Sequence, residues 1–340
     1  MTGQKVLVIA EAGVNHNGSF DLAKRMVESA KSFGADYVKF QMFKSTMLVR
    51  NGTPAAPYQH KRTFDNGARL KQDEMLRGLE LSEEIYSELY QFSSQVGIQC
   101  FATAFDYYSL EFLYSLGQRI FKVPSGEITN IPLLRRIAEF ECPIILSTGM
   151  SDVDEIAIAI STLKNSNFDL SNLVLLHCTS AYPTPIEDVN LLAVNSLREK
   201  FGLSVGYSDH TASNAVSLAA VAMGARIIEK HFTLDKNMQG PDHAASIEPK
   251  EFGELIQNIR TIELALGDGK KRLMPSEMEN IDLVRKSIVA GEQILKGEVF
   301  SLKNLTTKRP AAGISPLFWD TILGRKAKRN YQVDDYIVDE

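Results

Sequence analysis

The sequence predicts an α/β chain: a (β/α)8 barrel followed by a small, mostly β C-terminal domain. Three observations predict it. The chain has 340 residues, whereas a barrel alone takes about 250, which leaves room for an appendage. From residue 5 to about 265 one cadence repeats: a short apolar run, a polar loop, an amphipathic segment, then a Gly before the next apolar run. After Gly267 the cadence stops, and short apolar runs are separated by turn signals such as KGE and AAG.

Eight runs read as strands: Val6 to Ala10, Tyr37 to Phe40, Gln99 to Ala102, Ile120 to Val123, Ile144 to Leu146, Leu173 to Leu176, Ser204 to Gly206 and Ile227 to Glu229. The segments between them read as helices. DLAKRMVESAKSFGAD places Leu22, Ala23, Met26, Val27 and Ala30 on one face, with Gly34 where a left-handed cap is wanted. Gly97, Gly117, Gly202 and Gly224 occupy the same slot. Continuous apolar strands favour a closed parallel barrel over a doubly wound open sheet, which would give a similar local pattern. The expected division is a barrel over 1–266, a linker over 267–282 and a β domain over 283–340. One stretch interrupts the barrel. From Lys44 to Gly78 the connection is too long for an ordinary loop and carries Tyr58, His60, Lys61, Arg62 and Arg69 with few apolar residues, as an active-site lid or a surface insertion would.

Composition narrows the function. Hydrophobic residues make up 44% and charged residues 23%, with no apolar run near the roughly 20 residues that span a bilayer. The N-terminal run leads directly into Glu11 and has no basic stretch or cleavage site before it, so no secretion signal is expected. Cys100, Cys142 and Cys178 form no C-x-x-C pair, which suits a reducing compartment, and the cytoplasm is the expected location. A net charge of −5 argues against a nucleic-acid partner. It also requires local cations to capture any anionic substrate.

In a barrel of this kind the chemistry gathers at the C-terminal ends of the strands. The residues following each apolar run are Glu11; Lys39 and Gln41; Thr103; Lys122, Ser125 and Glu127; Ser147 and Thr148; His177 and the Ser180 to Pro185 segment; Ser208, Asp209 and His210; and Lys230 and His231. A lone polar strand end is usually a cap, but convergence from nearly every strand is harder to explain that way. His210 and His231 end consecutive strands, where two imidazoles can hold a divalent cation or bond to backbone and carboxylates. Lys39 and Lys122 imply an anion, since a buried unpaired ammonium is costly. That anion can be a phosphate or carboxylate of a substrate, Glu11 or Glu127; alternatively one lysine forms a Schiff base. Glu11 and Glu127 are the carboxylates available to move a proton.

The motifs IAEAGVNHNGS, ADYVKFQ, KVPSGEITN, ILSTGM, LLHCTSAYPTP, GYSDHT, EKHFTLD, GPDHAAS and TTKRPAAGI occur in this order. Together they make the chain resemble, nearly end to end, the sialic acid synthases, which condense phosphoenolpyruvate with N-acetylmannosamine or a related sugar. The resemblance implies a barrel followed by an antifreeze-like (SAF) domain. It implies that His210 and His231 bind manganese or magnesium, and that Lys39, Lys122, Ser125 and Ser147 hold phosphoenolpyruvate with Thr103 and Ser208 nearby. Glu11 and Glu127 take the acid-base positions, while Gln41, Tyr182 and Asp242 match sugar contacts. Arg309 matches an arginine that reaches from the tail of one subunit into the barrel of another, so a domain-swapped homodimer is expected. One departure is Ser180, where some members carry Asn in HCTNIYPTP; it bears on a sugar contact and not on the chemistry.

The sugar expected is N-acetylmannosamine, giving N-acetylneuraminic acid. A 2,4-diacetamido-trideoxy hexose, giving a legionaminic or pseudaminic acid, is the alternative. Two further readings stand against these: a metal-free aldolase using Lys122 or Lys39 with pyruvate, and a non-catalytic binder of ice or glycan through the tail.

Overall fold

A computed structural model describes residues 5–50, 52–54 and 71–338. The chain divides into two compact units, Met1–Asp268 and Gly269–Glu340. The first is a barrel of eight parallel strands: β1 (Leu7–Gly13), β2 (Tyr37–Met42), β3 (Gln99–Ala104), β4 (Phe121–Val123), β5 (Ile144–Ser147), β6 (Leu173–His177), β7 (Ser204–Asp209) and β8 (Ile227–His231). Each expected strand is found, and seven of the eight run one to three residues further at the C-terminal end than the apolar run suggested. In each of the seven the added residues include a polar one, such as Glu11, Gln41, Thr103, Ser147 or Ser208. Their backbones still pair in the ladder, and those on the inward face stand at the mouth.

The ladder runs in the order β3-β2-β1-β8-β7-β6-β5-β4, which leaves one seam between β3 and β4. A side chain bridges it. Buried Gln118 accepts from Ala102 N at 2.8 Å through Oε1, and its Nε2 donates to Ala102 O at 3.0 Å and to Ile120 O at 2.9 Å. The amide thus stands in for a strand residue and satisfies backbone groups that would otherwise be buried without partners.

Alternation along the strands sorts the side chains into two sets. Outward residues such as Val8, Val38, Leu146, Leu175 and Ile228 pack on the helices, and buried Ala23, Met26, Val27 and Ala30 present the expected face of the helix Phe20–Ser32. Inward residues form layers. Leu7, Tyr37, Ile120 and Val174 flank a plug of Ile9, Phe101, Ile145, Leu176 and Ile227, so the interior is filled and only its upper layer is polar. Gly206 has no room for a side chain there: a β-carbon would lie 2.5 Å from Ile227 O and 2.6 Å from Leu176 Cδ2. The glycines expected to end helices do so, with Gly97, Gly117 and Gly202 in the left-handed region at C-caps.

The long connection between β2 and β3 contains the helices Ser45–Leu48 and Gln72–Arg77. Tyr58, His60, Lys61, Arg62 and Arg69 lie outside the described residues. In the described part, Met75 and Leu76 join Leu79, Val14 and Phe43 in one apolar cluster.

In the second unit, β9 (Ser287–Ala290) pairs antiparallel with β10 (Leu305–Lys308). Isolated bridges such as Val289 to Tyr336 and Ile294 to Tyr331 extend the strand character. Ile288, Ala290, Ile294, Phe300, Leu305 and Tyr331 make its own small core. Among the described residues, no helix is long and apolar enough to cross a membrane.

Candidate active site

A cavity of about 450 Å³ opens at the C-terminal mouth of the barrel. Its lining includes Glu11, Gln41, Lys122, Ser125, Ser147, Ser180, Tyr182, Ser208, His210, His231 and Asp242, all expected from the sequence. A larger cavity of about 760 Å³ lies at the other end of the strands and contains Arg198 and Arg260. Those guanidinium groups already donate to Gly224 O and Val6 O, and Arg260 also pairs with Asp36 and Glu263.

Strand register builds the centre of the site. Glu11 on β1 stands beside Lys39 on β2 and His231 on β8, and Ser208 on β7 stands beside Glu229 on β8. Lys39 Nζ lies 2.6 Å from Glu11 Oε2 and 3.6 Å from Glu229 Oε2, and Lys122 Nζ lies 3.0 Å from Glu229 Oε1. Thr103 Oγ1 accepts from Lys39 at 3.3 Å, Ser208 donates to Glu229 at 2.9 Å, and Gln41 donates to Glu11 at 3.2 Å. Two carboxylates and two ammonium groups thus share one buried layer. A bulge between Glu11 and Gly13, where Gly13 has φ +53°, re-aims the end of β1 toward this layer.

The two carboxyl groups are driven apart. Burial would raise Glu229, but the charges of Lys122 and Lys39 outweigh it and hold this carboxyl well below the usual carboxylate range. Glu11 is raised, chiefly by burial and further by the charge of Glu229, although Lys39 opposes the shift. One acid is therefore fixed as an anion while the other is nearer to holding a proton, the division of labour that acid-base chemistry uses. Burial lowers the Lys39 ammonium, but Glu11 and Glu229 overcome that and raise it.

Glu229 is the residue that the sequence reading missed as a site group, having placed it as the last residue of a strand. Counting back two positions from His231 puts both on the same inward face. The same alternation corrects another expectation: Lys230 and Asp209 point outward, where they pair at 2.9 Å. Lys230 also donates to Thr211 O at 2.7 Å, which ties down the backbone just after His210. Two other strand-end residues are structural. Thr148 donates to Leu176 O at 3.1 Å, and His177 Nε2 lies 2.7 Å from Val189 O.

His210 and His231 face each other with ring centroids 5.4 Å apart, and the Tyr182 ring lies 4.3 and 5.4 Å from them. Burial pushes His210 down to about 4 and His231 well below the ordinary histidine range, so both rings are neutral. His210 Nδ1 is 2.7 Å from Thr179 O and must carry the proton for that bond, which leaves the Nε2 lone pair toward the cavity. His231 Nδ1 is buried and has no hydrogen-bond partner among the described residues. No group of three His, Cys, Asp or Glu able to hold a metal occurs among the described residues. Two neutral imidazoles fit a cation whose remaining positions go to water or substrate oxygen.

The β4 to β6 side makes a cradle of small groups. Gly149 N donates to Ser125 Oγ at 3.0 Å, and Ser125 Oγ lies 3.2 Å from Cys178 Sγ. A β-carbon at Gly149 would stand 2.5 Å from Ser180 Oγ and 2.7 Å from Ser125 Oγ. Ser147 Oγ is buried there with no partner among the described residues. Hydroxyls with Lys122 beside them suit a phosphate or carboxylate. Three expected barrel residues, Lys39, Thr103 and Glu127, are not in the cavity lining. Glu127 accepts from Asn130 Nδ2 at 2.6 Å one residue beyond the rim, and Arg309 is exposed on the second unit.

Comparison with known proteins agrees with this arrangement. Residues 26–271 match the NeuB family and residues 285–339 match the SAF domain. The chain is 50% identical to the N,N'-diacetyllegionaminic acid synthase of Campylobacter jejuni over 98% of this chain and 99% of that one. It is 46% identical to the Legionella pneumophila enzyme of the same name, over 95% and 90% of the two chains. Among solved structures, the N-acetylneuraminic acid synthetase of Leptospira borgpetersenii superposes with a TM-score of 0.71 at 36% identity, covering 82% of this chain and 90% of that one. The chain belongs to the NeuB family of sialic-acid-type synthases and carries that family's barrel followed by a SAF domain.

Proposed function

We propose that the chain is an N,N'-diacetyllegionaminic acid synthase, condensing phosphoenolpyruvate with a 2,4-diacetamido-2,4,6-trideoxy hexose and releasing phosphate. The observation that carries the choice of sugar is the 50% and 46% full-length identity to two synthases of that name. It displaces N-acetylmannosamine, which the sequence reading favoured.

His210 and His231 would hold manganese or magnesium, whose Lewis acidity would polarise the aldehyde of the open-chain sugar. Lys122, Ser125 and Ser147 grip phosphoenolpyruvate in the small-group cradle, and Lys39, oriented by Thr103, adds the second cation. C3 of phosphoenolpyruvate attacks the aldehyde carbon, and positive charge develops at C2. Glu229, held ionised between two lysines and by Ser208, is the anion that stabilises this charge. Water adds at C2 and gives its proton to Glu11, whose raised pKa suits it to pass a proton on to the aldehyde oxygen as that becomes a hydroxyl. Phosphate then departs by cleavage of the carbon-oxygen bond. Glu127 is kept as the second carboxylate of the acid-base set, and near-wild-type turnover in Glu127→Gln would remove it.

Gln41, Tyr182, Ser180 and Asp242 hold the sugar. Arg309 reaches the acylamino group from the tail of a second copy in a domain-swapped homodimer, and the enzyme works in the cytoplasm. The buried salt links of both lysines speak against the Schiff-base reading, since neither amine is free to attack a carbonyl.

The test is phosphate release from phosphoenolpyruvate with each sugar, with and without chelator. Chelator-sensitive release with the higher kcat/KM for the diacetamido sugar supports the proposal. A higher constant for N-acetylmannosamine would return the assignment to neuraminate synthesis.

A further inference from the structure

The cavity has two chemically different sides. Lys122, Ser125, Ser147, His210 and His231 make the β4 to β8 side polar. Above β1 to β3 the lining is mostly apolar: Val14 follows β1, Phe105 follows β3, and the segment from Gln72 to Leu79 supplies Met75, Leu76 and Leu79, with Gln72 its one polar lining residue among those described. These five residues belong to one cluster with Phe43, whose ring meets Phe105 edge to face at 6.3 Å.

The wall is braced. Asp106 accepts from Lys44 N at 2.8 Å and from Ser109 N at 2.8 Å, and Glu80 accepts from Ser45 N at 2.6 Å. Gly18 approaches Gly78 so closely that a β-carbon would sit 2.8 Å from its carbonyl oxygen. Met75, Leu76 and Leu79 are 6%, 9% and 7% exposed, and each borders the cavity.

Between the histidines and this wall stands a polar group. A β-carbon on Gly13 would be 3.2 Å from Glu11 Oε1, 3.3 Å from Gln41 Nε2 and 3.8 Å from Asp242 Oδ2, and Val14 is the next residue. With the aldehyde placed at the histidines as proposed above, the sugar's hydroxyls would run along Glu11, Gln41 and Asp242, and its far carbon would meet the apolar wall.

We infer that Val14, Phe105, Met75, Leu76 and Leu79 form the specificity wall that accepts the C6 methyl of a 6-deoxy sugar and disfavours a C6 hydroxyl. The inference rests on the proposed function above for the placement of the aldehyde. None of the five side chains offers a hydrogen-bond donor or a good acceptor. A hydroxyl placed there loses water without replacement, whereas a methyl gains contacts.

The test compares N-acetylmannosamine with its 6-deoxy analogue, which differs by one oxygen, in the full-length enzyme with manganese. The 6-deoxy sugar is expected to have a kcat/KM roughly 10- to 100-fold higher, mostly through KM. Met75→Gln, similar in length but polar, should shrink that ratio by about tenfold and leave KM for phosphoenolpyruvate unchanged. Equal constants for the two sugars in the wild type overturn the inference, as does a loss in Met75→Gln that is the same for both. The wild-type comparison decides alone if that variant does not fold. The 4-acetamido group is read separately. An enzyme indifferent to it yet selective for 6-deoxy sugars would sink the legionaminate reading and keep the wall, and the reverse would do the opposite.

Discussion

Glu229 is the residue on which the electrostatics of the site turn. Its carboxylate meets Lys122 at 3.0 Å, Lys39 at 3.6 Å and Ser208 at 2.9 Å. We expect Glu229→Gln to lower kcat by about 100-fold or more while KM for phosphoenolpyruvate does not rise, because Lys122 loses a competitor for the anion. Steady-state kinetics check this, and a raised KM with retained kcat would contradict it. His16 gives a separate prediction. It is fully buried, accepts from Gly18 N through Nδ1 at 3.0 Å, and is pushed from 6.5 to about 4, first by burial and then by His243. Between pH 6.5 and 4 the unfolded chain binds this proton and the folded chain does not, so stability falls as pH falls through that window and is flat above it. The contribution reaches about 3 kcal/mol for one group. His177, His210, His231 and His243 are shifted in the same direction. Melting curves from pH 7.5 to 4.5 should show the decline, and His16→Gln should remove one histidine's share of the slope. An unchanged slope would contradict it.

At the scale of elements, the strands were legible because buried parallel strands are continuous apolar runs, and the mouth was legible because reactive residues follow those runs. The strand ends were not. Polar residues such as Glu11, Lys230 and His231 read as a stop, although their backbones continue the ladder and alternate inward and outward. The seam between β3 and β4 was hidden for a different reason. It is closed by the amide of Gln118, which nothing in local periodicity distinguishes from a loop glutamine. Gln118→Leu strands Ala102 N and O in the interior and should cost about 3 kcal/mol in urea unfolding. No change would mean that the seam closes without it. The pair Asp209 and Lys230 is likewise invisible to motif reading. Lys230→Met leaves Asp209 buried without its partner and should destabilise the chain by about 3–5 kcal/mol, and full stability of that variant would contradict the account.

At the scale of the molecule, the sequence resemblance carried the family and the fold, but the choice of sugar rested only on what such enzymes commonly use, because GPDHAAS resembles neuraminate and legionaminate synthases alike. The features that bear on the sugar come from separate parts of the chain: Val14 after β1, Phe105 after β3, and Met75 to Leu79 from the long connection. Residues this far apart in sequence have no shared pattern to read, and only folding puts them on one wall. The proposed swapped dimer is testable at the same scale. Mixing Arg309→Ala with Lys122→Ala subunits and allowing exchange should restore activity that neither variant has alone, if each barrel uses the other copy's arginine. No recovery after verified exchange would place Arg309 in its own subunit's service.

The central claim is that this mouth joins phosphoenolpyruvate to a sugar aldehyde and expels phosphate by breaking the carbon-oxygen bond. Phosphoenolpyruvate labelled with oxygen-18 at the bridging position, incubated with the diacetamido sugar and manganese, tests it most directly. The account predicts that the label leaves with the phosphate, only when sugar is present, and that chelator stops its release. Unlabelled phosphate, or release without sugar, would mean that the phosphorus-oxygen bond is cut and that the reaction is not the one proposed.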